Sequence, residues 1–277
     1  MGLLNQPKLS IVLSTHATQF DAVAYKGDFE SNIAKISNWG YDGVELAIRD
    51  PNLINVDALE AILANQGIKV PAIGTGQAWG EEHLSLTNPD PSVRDKAISR
   101  IKSHISLAQR LKSLVIIGLI RGMTPPGQTK LQSMRFLEEC LRDCAKDASD
   151  HGIRLAVEPL NRYETDLILN VDEGLELVHR IDSPNLGLLL DTFHMNIEEK
   201  SIEQCIRRSG DSIFHFHVAD SNRCYPGGGH LDFKSLLEAL KSTGYQGWIS
   251  GEFMPIPDPD TAAQRSMTYL KQVFTLI

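Results

Sequence analysis

The sequence predicts an α/β chain folded as a closed (β/α)8 barrel, a TIM barrel, with residues 1–277 forming a single domain. Short apolar runs alternate with longer amphipathic stretches from one end to the other, and no linker, low-complexity tract or charge block interrupts them. The runs number eight, and eight strand-then-helix units in about 250 residues is the arithmetic of a closed barrel. They are runs of apolar residues rather than strict alternations, as expected of parallel strands covered on both faces. A chain of 277 residues with 42% hydrophobic side chains can also bury a core of that size. A doubly wound nucleotide-binding sheet is disfavoured, because the first run is followed by Ser14-Thr15-His16-Ala17-Thr18 and not by a Gly-x-Gly-x-x-Gly turn.

The units read in order as follows. The β-rich run Lys8 to Ser14 precedes an amphipathic stretch from Asp28 to Trp39, which Asp28 can cap and Gly40 closes. Gly43 to Ala47 is the second run, and its helix, Val56 to Gln66, stops at Gly67. Lys69 to Ile73 leads to the helix Pro91 to Leu111, where proline suits an opening turn. Leu114 to Leu119 is followed by Thr129 to Ser149, with Gly152 just beyond its end. In the second half the strands are Ile153 to Glu158, Leu186 to Asp191, Ile213 to Val218 and Trp248 to Glu252. Their helices are Val171 to Ile181, Ser201 to Ser209, Phe233 to Ser242 (followed by Gly244) and Thr261 to Phe274.

Charge and composition remove several function classes. With Lys+Arg 27 against Asp+Glu 35 the net charge is -8 and spread along the chain, so a nucleic-acid-binding footprint is not supported. No apolar run approaches the ~18 residues of a membrane span. The start, Met1-Gly2-Leu3-Leu4-Asn5-Gln6, has neither a secretory pattern nor a myristoylation motif, so cytoplasmic residence is the expectation. Four cysteines, without a Cys-x-x-Cys pair, are too sparse for a disulfide scaffold.

In a barrel of this type, functional side chains stand at the carboxyl ends of the strands. The fifth to eighth runs end in Glu158, Asp191, His217 and Glu252. Three carboxylates and an imidazole converging at one mouth would repel one another without a cation, and together they make a hard, oxygen-rich site suited to Mn2+, Mg2+ or Co2+. Glu164, His194 and Arg223 follow in the loops facing the same mouth. His215 points to the same side of its strand as His217 and fits a supporting or core role better than ligation. His230 and Asp232 fit loop hydrogen bonds or a helix cap. Two arginines end segments in the first half, Arg49 and Arg121; they either pair with barrel acids or recognise a carboxylate on the substrate.

Three strings, Glu158-Pro159-Leu160-Asn161-Arg162-Tyr163-Glu164, Asp191-Thr192-Phe193-His194-Met195-Asn196 and His217-Val218-Ala219-Asp220-Ser221-Asn222-Arg223, resemble the ketose 3-epimerases. These are enzymes of the xylose isomerase-like TIM-barrel superfamily, among them the D-tagatose and D-psicose 3-epimerases. The resemblance is dense from Glu158 to Glu252. It implies that Glu158, Asp191, His217 and Glu252 ligate one divalent ion, usually Mn2+ or Co2+, and that Glu158 and Glu252 are the catalytic acid and base. It also implies that Glu164, His194 and Arg223 bind the carbonyl and hydroxyl end of the substrate, and that the protein is a dimer or tetramer. In the first half the aromatics that line the sugar epimerases' pocket are missing, Trp79 being the nearest candidate. There Arg49-Asp50-Pro51, Gly74-Thr75-Gly76-Gln77-Ala78 and Gly118-Leu119-Ile120-Arg121-Gly122 look more like the 5-keto-L-gluconate epimerase branch.

The expected chemistry is metal-dependent epimerisation of a ketose or keto-sugar acid: a proton leaves the carbon next to the ketone, a metal-bound enediolate forms, and a proton returns on the opposite face. The same site would serve an aldose–ketose isomerase of the hydroxypyruvate isomerase kind or an inosose dehydratase-type lyase. An endonuclease IV-like hydrolase is more distant, because it gathers several zinc ions on histidines that the third and fourth strands lack here.

Overall fold

The computed structural model describes residues 7–18 and 20–277. Its sheet runs β2-β1-β3-β4-β5-β6-β7-β8-β9 with every pair parallel, and β1 also pairs with β9, which closes the barrel. The barrel strands are β1 (Lys8–Ser14), β3 (Gly43–Ala47), β4 (Ala72–Gly74), β5 (Leu114–Ile117), β6 (Leu155–Val157), β7 (Leu186–Asp191), β8 (Ile213–Val218) and β9 (Trp248–Gly251). The ninth, β2 (Tyr25–Lys26), is a two-residue addition to β1 that has no periodicity to announce it.

Around the barrel lie α1 (Phe29–Asn38), α2 (Val56–Gln66), α3 (Gly76–Glu82), α4 (Pro91–Leu111), α5 (Lys130–Asp150), α6 (Val171–Ile181), α7 (Thr192–Glu198), α8 (Ile202–Ser209), α9 (Phe233–Ser242) and α10 (Pro259–Phe274). Except in α1 and α3, their starts carry side-chain caps that satisfy otherwise unpaired amide groups. Asn55 accepts from Ala58 N, Asp90 from Ser92 N with Pro91 behind it, and Thr129 forms a reciprocal box with Gln132. Asp28 departs from its expected role: it occupies the cap position of α1 in a left-handed conformation, and its side chain makes no capping bond. Among the described residues, no helix is long and apolar enough to cross a membrane.

The third strand differs from its expected span. Pro71 has no amide hydrogen, so the ladder begins only at Ala72, and Lys69 makes an isolated bridge to Gly43. β5, β6 and β9 also end earlier than the apolar runs suggest, which leaves Glu158 and Glu252 one residue past their strands.

The main core lies between the strands and the surrounding helices, while a smaller plug of Ala72, Leu114, Ile116, Ala156 and Leu189 fills the barrel interior. Cys140 and Cys144 face the main core from α5 and are free thiols. Gly43 marks where the wall is tightest: a Cβ there would stand 2.7 Å from the Trp248 ring and 2.8 Å from the Lys69 carbonyl oxygen. Because a backbone carbonyl cannot swing aside, Gly43→Ala is expected to destabilise the fold by about 1–3 kcal/mol, read as a lower urea midpoint.

Candidate metal centre and active site

The strand ends place the four second-half residues together. Glu158 follows β6, Asp191 ends β7, His217 is the penultimate residue of β8, and Glu252 follows β9. Each offers a ligand atom, and these atoms all lie within 4.8 Å of one another. His217 Nδ1 stands 3.6 Å from Asp191 Oδ2, 3.8 Å from Glu158 Oε1 and 3.9 Å from Glu252 Oε2. Asp191 also caps α7 by accepting from Phe193 N at 2.7 Å, which fixes its carboxylate. Gly118 lets Glu158 in: a Cβ at that position would come within 3.0 Å of Glu158 Oε2.

These residues fit a cation. Glu158 Oε1 and His217 Nδ1 are buried with no hydrogen-bond partner, a costly state unless something else occupies the space between them. Ligands about 2.1 Å from a hard octahedral ion stand about 3 Å apart when adjacent and about 4.2 Å when opposite, a range that contains the His217 separations. Three carboxylates and one imidazole, without a thiolate, favour such an ion over a soft one.

The electrostatics of the bare site point the same way. Burial, with the Glu252 charge behind it, pushes Glu158 well above the usual carboxylate range. Burial likewise takes Glu252 up to about 7. For His217 burial favours the neutral ring, but Glu45, Asp191 and Glu252 outweigh it and raise the imidazole well above its ordinary value. Burial works to raise Asp191 as well, but His217, with the Arg223 guanidinium nearby, holds it below its ordinary value.

A cavity of about 630 Å³ opens above this cluster, lined by Glu158, His217 and Glu252 and also by Glu164, His194 and Arg223. His194 Nδ1 accepts from Asn161 Nδ2 at 2.7 Å, so the proton of the neutral ring sits on Nε2, which is buried without a partner 3.8 Å from Glu158 Oε1. Burial lowers this imidazole and keeps it neutral. Arg223 donates from Nη1 to Glu164 at 2.7 Å, while its Nη2 stands 3.6 Å from Glu252 Oε2. Its loop is held by the buried Asp220 carboxylate, which accepts from the amides of Ser221, Gly227 and Leu231. Asp232 caps α9, and His230 hydrogen-bonds Ser221.

The structure does not bring the two first-half arginines to the cavity. Arg49 turns to Glu81 at 3.0 Å and Glu82 at 3.6 Å on the rim. Arg121 is fully buried and donates to the backbone carbonyls of Glu158 and Ile168, so it braces the residue that carries the glutamate. Burial takes its guanidinium down to about 10, against the pull of Glu158. Arg121→Met would strand both carbonyls, with an expected loss of about 2–4 kcal/mol in denaturant unfolding; a substrate-binding arginine would instead raise KM and leave stability unchanged. The aromatic lining the first half of the cavity is Phe20, and Trp79 is not among the lining residues.

Gln77 and Glu45 are among the polar residues of the cavity wall that the strand-end pattern did not single out. Gln77, at the start of α3, donates from Nε2 to Ser14 Oγ at 2.7 Å and leaves Oε1 buried without a partner. Glu45 lies in mid-strand on β3 and meets both His215 and His217, with Oε2 2.8 Å from His215 Nε2 and 2.9 Å from His217 Nε2. Burial alone would raise Glu45, yet the two imidazoles hold it well below the carboxylate range. The visible signal was an acid inside the apolar run Gly43-Val44-Glu45-Leu46-Ala47.

The profile of the xylose isomerase-like TIM barrel matches residues 33–273. The D-psicose 3-epimerase of Ruminiclostridium cellulolyticum is 32% identical over 232 residues, covering 81% of this chain and 78% of its own. The 3-dehydro-D-guloside 4-epimerase of Escherichia coli is 28% identical over 247 residues, covering 85% and 91%. The crystal structure of D-allulose 3-epimerase from Methylomonas sp. in complex with D-allulose superposes with a TM-score of 0.80 at 25% identity, covering 96% of this chain and 98% of the other.

Proposed function

The chain belongs to the xylose isomerase-like TIM-barrel family, and on that premise we propose that it is a divalent-metal-dependent epimerase inverting the carbon next to the ketone of an uncharged ketose. The observation that carries this reading is the pair Glu158 and Glu252, two carboxylates that follow different strands, belong to one ligand cluster and line one cavity. Inversion needs a base on one side of the reacting carbon and an acid on the other, and two carboxylates brought to one cavity from separate strands can exchange those roles.

Glu158, Asp191, His217 and Glu252 would hold the ion, and Mn2+ suits that donor set best. When bound, the ion supplies positive charge that steadies the enediolate oxygens as the proton leaves. His194 offers its Nε2 hydrogen to a substrate oxygen, and the Arg223–Glu164 pair offers a fixed donor and acceptor for the neighbouring hydroxyl. Gln77, which also lines the cavity, leaves its buried Oε1 as an acceptor without a partner, which suits a hydroxyl group. With Arg49 engaged by Glu81 and Glu82, the sequence-based leaning toward a keto-sugar acid loses its support.

The free cysteines accord with cytoplasmic residence, and the exposed Tyr163 next to cavity-lining Glu164 offers a contact for a dimer or tetramer. The test is solvent exchange: the Mn2+-loaded protein in D2O is offered fructose, tagatose, tagaturonate and 5-keto-gluconate. Deuterium entering with inversion in the ketoses alone is the expected result. Label with retained configuration throughout, loss of water, or reaction of the keto acids alone would overturn it.

A further inference from the structure

We infer that Glu45 is the positioning residue of the metal centre: from the opposite wall of the barrel its carboxylate fixes His217 in the tautomer whose Nδ1 faces Glu158, Asp191 and Glu252. This rests on the proposed reading of those four residues as ligands. Glu45 stands on β3 and the two histidines on β8, with β1 and β9 between them in the sheet, so the contact spans the barrel interior. All three side chains are buried, at 2%, 1% and 1% exposure for Glu45, His215 and His217.

The proton positions follow from donor and acceptor counting. An ionised carboxylate only accepts, so each Nε2 nitrogen next to it must carry a hydrogen. Glu45 Oε2 accepts from His215 Nε2 at 2.8 Å and from His217 Nε2 at 2.9 Å, and Oε1 lies 3.1 Å from the same His217 nitrogen. The neutral His217 ring then has its lone pair on Nδ1, the atom left without a partner among the three other carboxylates. A proton on Nδ1 would instead aim one lone pair at another across 2.9 Å. His215 completes the arrangement: its ring stands edge-on to His217 at 77° and 5.3 Å, so both donors reach one oxygen from different directions.

The same three side chains are close enough to suggest an ion of their own, but the distances argue for hydrogen bonds. Ligands of a tetrahedral ion at about 2.0–2.1 Å stand roughly 3.3 Å apart, and here the atoms lie 2.8 and 2.9 Å apart. Glu45 therefore acts through His217, by fixing the ring and raising the basicity of Nδ1.

Two measurements test this. Titration of the metal-stripped protein with Mn2+, followed by EPR, should give one ion per chain. In Glu45→Gln, whose amide must turn its NH2 group toward an imidazole N–H or give up one bond, Mn2+ should bind about 10–100-fold more weakly, with near-UV circular dichroism reporting that the variant is folded. The second measurement needs no variant: long-range 1H–15N spectra of the Mg2+-loaded, 15N-histidine-labelled wild type should show the His217 proton on Nε2. A proton on Nδ1, two Mn2+ per chain, or affinity in folded Glu45→Gln within twofold of wild type would overturn the assignment. If the wild type binds one Mn2+ and shows the Nε2 tautomer but epimerises no ketose, the proposed function fails and the role of Glu45 stands. A wild type that binds no Mn2+ removes both.

Discussion

Replacing either Glu158 or Glu252 by glutamine is expected to lower epimerisation by about 10²–10⁴-fold, the range in which positioned acids and bases act. The two variants should differ in what they retain. If each carboxylate serves one face of the substrate, the one that remains can still remove a proton from its own side and return one there. Each variant would then exchange deuterium into one epimer without inverting it, and the epimer retained by Glu158→Gln should be the one lost by Glu252→Gln. Proton NMR in D2O, with each epimer offered separately, reads this directly. Loss of all exchange in one variant together with near-normal inversion in the other would mean a single base, and the two-carboxylate mechanism would be wrong. Both side chains are also ligand candidates, so Mn2+ content is measured alongside, and a variant without metal is reconstituted at higher Mn2+ before comparison.

The four ligand candidates were legible because each stands at or near the end of a mainly apolar run, where the only question was whether the runs closed into one barrel. Four of those runs, β1, β3, β7 and β8, agree with the structure at both ends. Each is rich in apolar residues, and glycine, proline or polar residues flank them. Helices α3 and α7 were not foreseen, since seven residues are too few to show a 3.6-residue period. Glu45 was hidden for a different reason. Its partners lie 170 and 172 residues away and meet it only because the barrel closes, which local spacing does not encode. The arginines show the opposite failure. Arg49 and Arg121 read alike as charged ends of strands, yet one reaches surface carboxylates and the other is drawn inward to unsatisfied backbone carbonyls, a difference decided by the acceptors that folding brings near.

Removal of the divalent ion by a chelator is expected to reduce turnover to background, and recovery on adding Mn2+ should weaken steeply as pH falls. The sign follows from the bare site. Glu158 and His217 are raised well above their ordinary values, and Glu252 to about 7. Near neutrality the metal-free cluster therefore holds protons on atoms that an ion needs. A bound ion and those protons exclude each other, so acidification favours the metal-free form. Each proton displaced changes the affinity by about tenfold per pH unit while its group is protonated. Mn2+ should accordingly bind at least about tenfold more weakly at pH 6 than at pH 7, with one or more protons released per ion. Calorimetry in buffers of different ionisation enthalpy counts those protons. Zero release with a flat affinity between pH 6 and 8 would mean that the ion binds away from Glu158, His217 and Glu252. Activity that persists after complete chelation would remove the ion from the mechanism and leave proton transfer to the protein side chains alone.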